Sequence, residues 1–268
     1  MRRVAAVLLG VAPAFAFAQS MEGMDHSTMH HDTETRSADW SDGVAPSSMH
    51  GMDMMDMDDT APTGMLLLDR LEAFAGQGDH GQSWEGEGWY GNDTDKLWLR
   101  SEGERTGARL HDGDVQLFWS RAVAAFWDAQ VGVRRDIGEG PGRTWLAVGV
   151  QGLAPYWFEV EATAYAGESG RTAARIRLEY ELLLTQRLVL QPEVEINAYG
   201  KADPLRDIGA GVSRLAGGLR LRYEVRRSVA PYVGVAWEHL TAGTASLARR
   251  DGRRVTDRRW VAGIRIWL

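Results

Sequence analysis

The sequence predicts an all-β chain forming an antiparallel up-and-down outer-membrane β-barrel, with a disordered N-terminal tail. Three observations lead there. Apolar and polar residues alternate with period two in segment after segment, the segments run to about ten to thirteen residues against the five or six usual in soluble sheets, and the gaps between them alternate short and long. Short turns on one rim and longer loops on the other are what a barrel with both chain ends in the periplasm requires.

Taken in order, the chain opens with Met1-Arg-Arg3, an apolar run from Val4 to Phe17 and Ala16-Phe-Ala18. A charged start, a greasy middle and a small-residue cleavage site predict a secretory signal over residues 1–18. The run is too short for a membrane-spanning helix of roughly 20 residues. Residues 19–65 then carry ten acids against the single base Arg36, and almost no large aliphatic residue apart from the methionines. Such a stretch cannot bury enough apolar area to offset its ordering entropy, so it is expected to be disordered. Residues 66–94 are expected to be a connector, broken by Gly76-Gln-Gly78-Asp-His80-Gly81.

The barrel is expected over 95–268, with strands near 95–105, 112–121, 124–134, 143–153, 156–166, 171–183, 187–199, 211–225, 229–240 and 256–267. That gives ten strands. Counting the alternating Trp84-Glu-Gly-Glu-Gly-Trp-Tyr90 makes eleven, and a stretch near Ala245–Arg249 would make twelve. In 157–165, Phe158, Val160, Ala162 and Ala164 share one face while Glu159, Glu161, Thr163 and Tyr165 share the other, and the pattern recurs at 175–182, 193–197 and 219–224. A soluble sandwich also alternates. Against it stand the strand lengths and the aromatics near strand ends (Trp98, Trp119, Trp127, Trp145, Tyr156, Trp157, Trp237, Trp260 and Trp267), where an interfacial girdle belongs.

Chemistry concentrates in two places. All ten methionines lie at or before Met65, and apart from Met1 and Met65 they fall in two tracts with histidine and aspartate. The candidate metal ligands are Met21, Met24, His26, Met29, His30, His31, Met49, His50, Met52, Met54, Met55 and Met57. Thioethers select Cu(I) and imidazole suits Cu(II), so copper ions in either oxidation state are the expected ligand. The chain has no cysteine, which removes thiolate clamps and a disulfide framework. The second place is the barrel lumen, whose candidate residues are Glu159, Glu161, Glu179, Glu181, Glu193 and Glu195. They are interleaved with arginines, as in a cross-braced plug of ion pairs, and the contrasting reading is a cation path.

The formal charge of −7 sits in the tail, since residues 66–268 balance to zero. An acidic tail repels phosphate and attracts cations, which argues against nucleic acid as a partner. No Gly-x-Ser-x-Gly, His-Glu-x-x-His or glycine-rich phosphate loop occurs, so no enzyme is expected. His80, His111 and His239 are isolated and read as rim residues.

With tail and barrel in view, the chain resembles the copper resistance protein B family of Gram-negative outer-membrane proteins. The blocks that carry the likeness are Asp95-Lys-Leu-Trp-Leu-Arg-Ser-Glu-Gly-Glu104, Trp127-Asp-Ala-Gln-Val-Gly-Val-Arg-Arg-Asp136, Leu190-Gln-Pro-Glu-Val-Glu-Ile-Asn197 and Ala230-Pro-Tyr-Val-Gly-Val-Ala-Trp-Glu238. The resemblance covers about residues 66–268. It implies an outer-membrane barrel in contact with lipid, acting in copper tolerance beside a periplasmic multicopper oxidase, with the tail in the periplasm holding or handing over copper. Met/His tracts vary within the family, so it assigns no individual ligand. The expected function is thus copper sequestration by a tail held at the outer membrane, and the alternative is transport of copper through the lumen.

Overall fold

Most leucines, valines and isoleucines in the strands face away from the interior, with Leu67, Val189 and Val261 as buried exceptions, while most arginines, glutamates and aspartates of the strands face into it. Leu99 is 55% exposed and Val148 62%, whereas Asp114 is 2% and Arg222 1% exposed. In water this arrangement would be unstable, but in lipid it is the stable one, because the outer wall meets hydrocarbon and polar side chains pair inside. The computed structural model describes residues 61–76 and 80–268.

The strands are β1 (Thr63–Gly76), β2 (His80–Gly91), β3 (Asp95–Thr106), β4 (Arg109–Ala124), β5 (Trp127–Gly138), β6 (Thr144–Ala154), β7 (Phe158–Gly167), β8 (Arg171–Glu179), β9 (Leu182–Leu183), β10 (Leu188–Tyr199), β11 (Gly211–Tyr223), β12 (Val229–Leu240) and β13 (Thr256–Trp267). Each is antiparallel to its neighbours, and β13 pairs with β1 from Leu67 opposite Trp267 to Gly76 opposite Arg259. Twelve strands therefore close the ring, so that each is laddered on both sides as hydrocarbon demands. The thirteenth, β9, is a two-residue continuation of β8 along β10. Pro192 on β10 has no N–H to give, and the ladder lapses opposite it at Tyr180 and Glu181.

The count of twelve is the largest that the alternation allowed, reached by a different route from the ten expected. Residues 66–94, expected as a connector, form the last residues of β1 together with β2, so the barrel begins at Thr63 rather than near residue 95. Three consecutive leucines, Leu66 to Leu68, and a register shift between Leu68 and Arg70 hide the period of β1. In β2 the outward positions 86 and 88 are glycines, which leave no greasy face to read. Ala245–Arg249, the other candidate strand, belongs to the helix α1 (Ala242–Arg250).

Trp98 and Trp145 point inward instead of joining a girdle. They line one wall of the lumen with Phe118, Ala147 and Tyr165. Phe118 lies over Gly132, where a β-carbon would come within 2.7 Å of its ring. The outward aromatics include Trp119, Trp237 and Trp260.

At the rim of the longer loops, segments 200–210 and 241–255 lock together. Gly209 N–H donates to Thr244 Oγ1 at 2.8 Å, and a β-carbon on Gly209 would meet the Gly243 backbone at 2.2 Å, so only glycine permits this approach. Asp203 accepts from Arg143 Nε at 2.8 Å and faces Arg171 Nε at 3.4 Å. Arg206 reaches Asp112 at 3.0 Å and the Pro141 carbonyl at 3.1 Å. The two segments form a cap pinned to the neighbouring loops.

Candidate functional site

Strand alternation delivers to the lumen every second residue of twelve strands, and many of those residues are charged. At mid-height Arg177 of β8 meets Glu85 of β2, Glu102 of β3 at 2.9 Å and, on β10, Glu195 at 2.7 Å and Glu193 at 3.7 Å. Arg70 of β1 holds Glu193 at 2.6 Å and Glu85 at 3.1 Å. Arg220 of β11 bridges Glu193 at 2.9 Å and Glu72 at 3.1 Å. On the other side Arg175 joins Glu102 at 2.6 Å to Asp114 at 3.2 Å, and Arg134 joins Asp114 at 3.1 Å to Asp136 at 2.7 Å. The result is a transverse partition of alternating charge running from β11 across to β5.

Neutral donors finish the satisfaction of these carboxylates. Tyr232 O–H donates to Glu72 at 3.1 Å, Trp145 Nε1 to Asp136 at 2.8 Å, and Asn197 Nδ2 to Glu195 at 2.6 Å. Buried charges persist when each is paired, and every charge in this network faces an opposite one, although Arg70 Nε and Nη2 have ion-pair partners without a hydrogen bond of good geometry.

Above the partition, toward the long-loop rim, lies a cavity of about 700 Å³. Its lining includes Glu104, Asp112, Glu139, Arg206, Glu238 and Arg259, and its floor is the Arg177 cluster. Below the partition, Arg100 holds Glu161 at 2.9 Å and Glu87 at 3.3 Å, Arg222 holds Glu181 at 2.7 Å, and Arg265 holds Asp69 at 2.8 Å. A cation moving along the axis meets carboxylates at each level, and at mid-height it also meets Arg70 and Arg177, which occupy the way.

All six lumen carboxylates singled out from sequence lie on the barrel strands or, for Glu181, beside them. Glu193 and Glu195 enter the partition, and Glu161 and Glu181 are paired below it. Glu179 accepts from Gln191, and Glu159 is exposed near the short-turn end. The twelve tail ligands, Met21 to Met57, lie outside the described residues. Among the described residues no group of three or more histidine, aspartate or glutamate side chains is arranged to hold a metal ion.

Sequence reasoning missed Arg70, Glu72 and Glu85, because β1 and β2 were not read as barrel strands. The alternation in Trp84-Glu-Gly-Glu-Gly-Trp-Tyr90 was the available signal for Glu85 and Glu87. Asp114, Arg134 and Asp136 share parity with inward neighbours in strands that were expected.

Apolar outward residues, a closed ladder and a polar interior define an outer-membrane-type β-barrel. Among solved structures the chain is similar in fold to the NanC porin, at 11% identity and a TM-score of 0.50, covering 75% of this chain and 98% of that one. The KdgM porin also matches, at 10% identity and a TM-score of 0.47, with 75% and 98% covered.

Residues 63–268 match the family model for copper resistance protein B precursor. The chain is 41% identical over 267 residues to the copper resistance protein B homolog of Pseudomonas syringae pv. tomato, covering 94% of this chain and 90% of the relative. It is 44% identical over 210 residues to copper resistance protein B of Escherichia coli, with 78% and 71% covered. The chain belongs to the copper resistance protein B family.

Proposed function

We propose that this protein protects the cell by holding copper ions on its Met/His tail at the outer membrane, with the barrel as an anchor whose lumen is closed by ion pairs. The observation that carries the reading is the pairing of opposites within one chain. Soft thioethers and imidazoles crowd residues 21–57, and the lumen carboxylates Glu161, Glu181, Glu193 and Glu195, which would compete for a cation, are engaged by arginines. In this reading residues 1–18 are removed on export and the tail lies in the periplasm, on the side of the short turns. There it passes copper to the multicopper oxidase expected of the resistance system. No catalytic step is assigned to the chain.

The test is deletion of residues 21–57 with the barrel intact. Copper tolerance and outer-membrane copper content should both fall, and unchanged tolerance would defeat the reading. Ligand chemistry gives a second expectation. Imidazoles compete with protons near pH 6.5 and thioethers do not titrate, so Cu(II) binding by the full-length protein should be lost at about pH 5 while Cu(I) binding remains.

One observation favours a second reading, transport: the cavity above the partition is lined partly by acids and opens toward the long loops. Purified protein in planar bilayers would then pass cations, and neutralising Glu159, Glu161, Glu193 and Glu195 would stop the current.

A further inference from the structure

Outside the barrel, at the long-loop end of β12 and β13, a groove of about 800 Å³ is lined by Ala75, Val235, Trp237, His239, Arg258 and Trp260 among others. Cross-strand pairing fixes its layout. Val235 stands opposite Trp260, Trp237 opposite Arg258, and His239 opposite Thr256, so the wall passes from apolar to cationic to polar toward the rim.

The flanking strands keep the space open. Trp260 neighbours Ala75 on β1, and Trp237 neighbours Gly217 on β11, lying so close over it that a β-carbon there would be 2.4 Å from the ring. Trp260 is 74% and Trp237 42% exposed.

Arg258 makes this more than an apolar patch. It is exposed on the outer face, and among the described residues no carboxylate or hydrogen-bond acceptor engages it. The nearest acids in sequence and register are committed to the lumen side: Asp257 to Arg259, and Glu238 to Arg214 at 3.3 Å. His239 adds a second polar nitrogen, its Nδ1 lying 2.7 Å from Thr256 Oγ1. Three strands further on, Arg105 is another exposed cation, bonded to Gln82 at 2.9 Å.

A bare guanidinium between two indoles, beside an acyl-facing wall, has the composition of a headgroup site. Aromatic rings settle at the interface, and an arginine there bonds phosphate bidentately. We infer that the groove between Trp237 and Trp260 binds an anionic membrane lipid whose headgroup phosphate carries no compensating cation, its phosphate on Arg258 and its acyl chains against Val235 and Ala75. The occupant is the lipid, because the charge complement and the apolar lining are needed together.

The test uses the full-length protein in detergent, with bound lipid counted by native mass spectrometry. Phosphatidic acid and phosphatidylcholine of matched chains are the probes, with inorganic phosphate as competitor. Wild type should retain phosphatidic acid about tenfold more strongly than phosphatidylcholine, Arg258→Gln should remove that preference, and Arg258→Lys should keep part of it. Equal retention of the two lipids by wild type overturns the inference, as does an undiminished preference in Arg258→Gln. Full displacement by free phosphate would show an adventitious ion only. Should Arg258→Gln fail to fold, the wild-type comparison and Arg258→Lys still decide.

Discussion

Two arginine–carboxylate clusters in this molecule have opposite proportions. At mid-lumen Arg177 is shared by Glu85, Glu102, Glu193 and Glu195, whereas in the cap the single carboxylate of Asp203 is shared by Arg143 and Arg171. Position explains the difference. Inside the ring, neighbouring strands bring acids together laterally, Glu85 opposite Glu102 and Glu179 opposite Glu193, and only cations reaching across the lumen keep such ladders from repelling. In the cap one acid suffices to gather loop arginines, because those cations also meet solvent. Removing the central arginine therefore leaves uncompensated charge in an enclosed space, while removing the cap acid leaves charge that water can reach.

The largest expected effect follows from breaking the first cluster. Arg177→Met should destabilise the detergent-solubilised barrel by about 3–5 kcal/mol, the usual penalty for orphaning buried charge, read from chemical denaturation. The same variant should raise single-channel conductance in planar bilayers, because it removes a side chain from the partition. A variant as stable as wild type would show that the carboxylates had simply taken up protons.

Breaking the second cluster should be milder. Asp203→Asn is expected to leave the denaturation midpoint of the barrel in place while speeding amide exchange in segment 200–210 by roughly tenfold, since local opening loses one charge-assisted contact. Exchange spreading into β10 and β11 would mean that the cap supports the barrel.

The smallest effect sharpens the comparison through pH. Burial pushes the Asp203 carboxyl up, but the Arg143 hydrogen bond, the Arg143 and Arg171 charges and the Leu205 backbone N–H outweigh it and hold the group below its ordinary 3.8. A carboxyl depressed in the folded state stabilises above its unfolded value and loses that contribution as pH falls through the folded one. Cap exchange should thus be insensitive to this group from neutral pH down to about pH 5 and should accelerate only below the ordinary aspartate value near 3.9. Acceleration already at about pH 6 would mean that a group other than Asp203 governs the cap.

Much of the wall was legible because parity is unforgiving. Glu193 and Glu195, or Arg220 and Arg222, can face inward only together, and the barrel turned both pairs that way. Trp98 shares parity with Arg100, so its inward position was equally readable. Assigning it to a girdle gave residue type more weight than phase.

Contacts across the lumen were not legible. Arg177 and Glu85 are 92 residues apart, and which inward residues meet at one height depends on strand number and stagger, neither of which a single strand reveals. The helix α1 escaped for a simpler reason, since Ala-Gly-Thr-Ala-Ser-Leu-Ala-Arg-Arg is too short and too small in side chains to announce a periodicity.

The pairing of β1 with β13 carries one more consequence. Leu66 and Leu268 exchange backbone hydrogen bonds at 3.0 and 2.9 Å, and Asp69 grips Arg265 across 196 residues of sequence. A seam sewn from the two most distant strands cannot form early, so ten intermediate hairpin partners must be in register before the hoop shuts, and until then one raw edge stays bare at each end of the sheet.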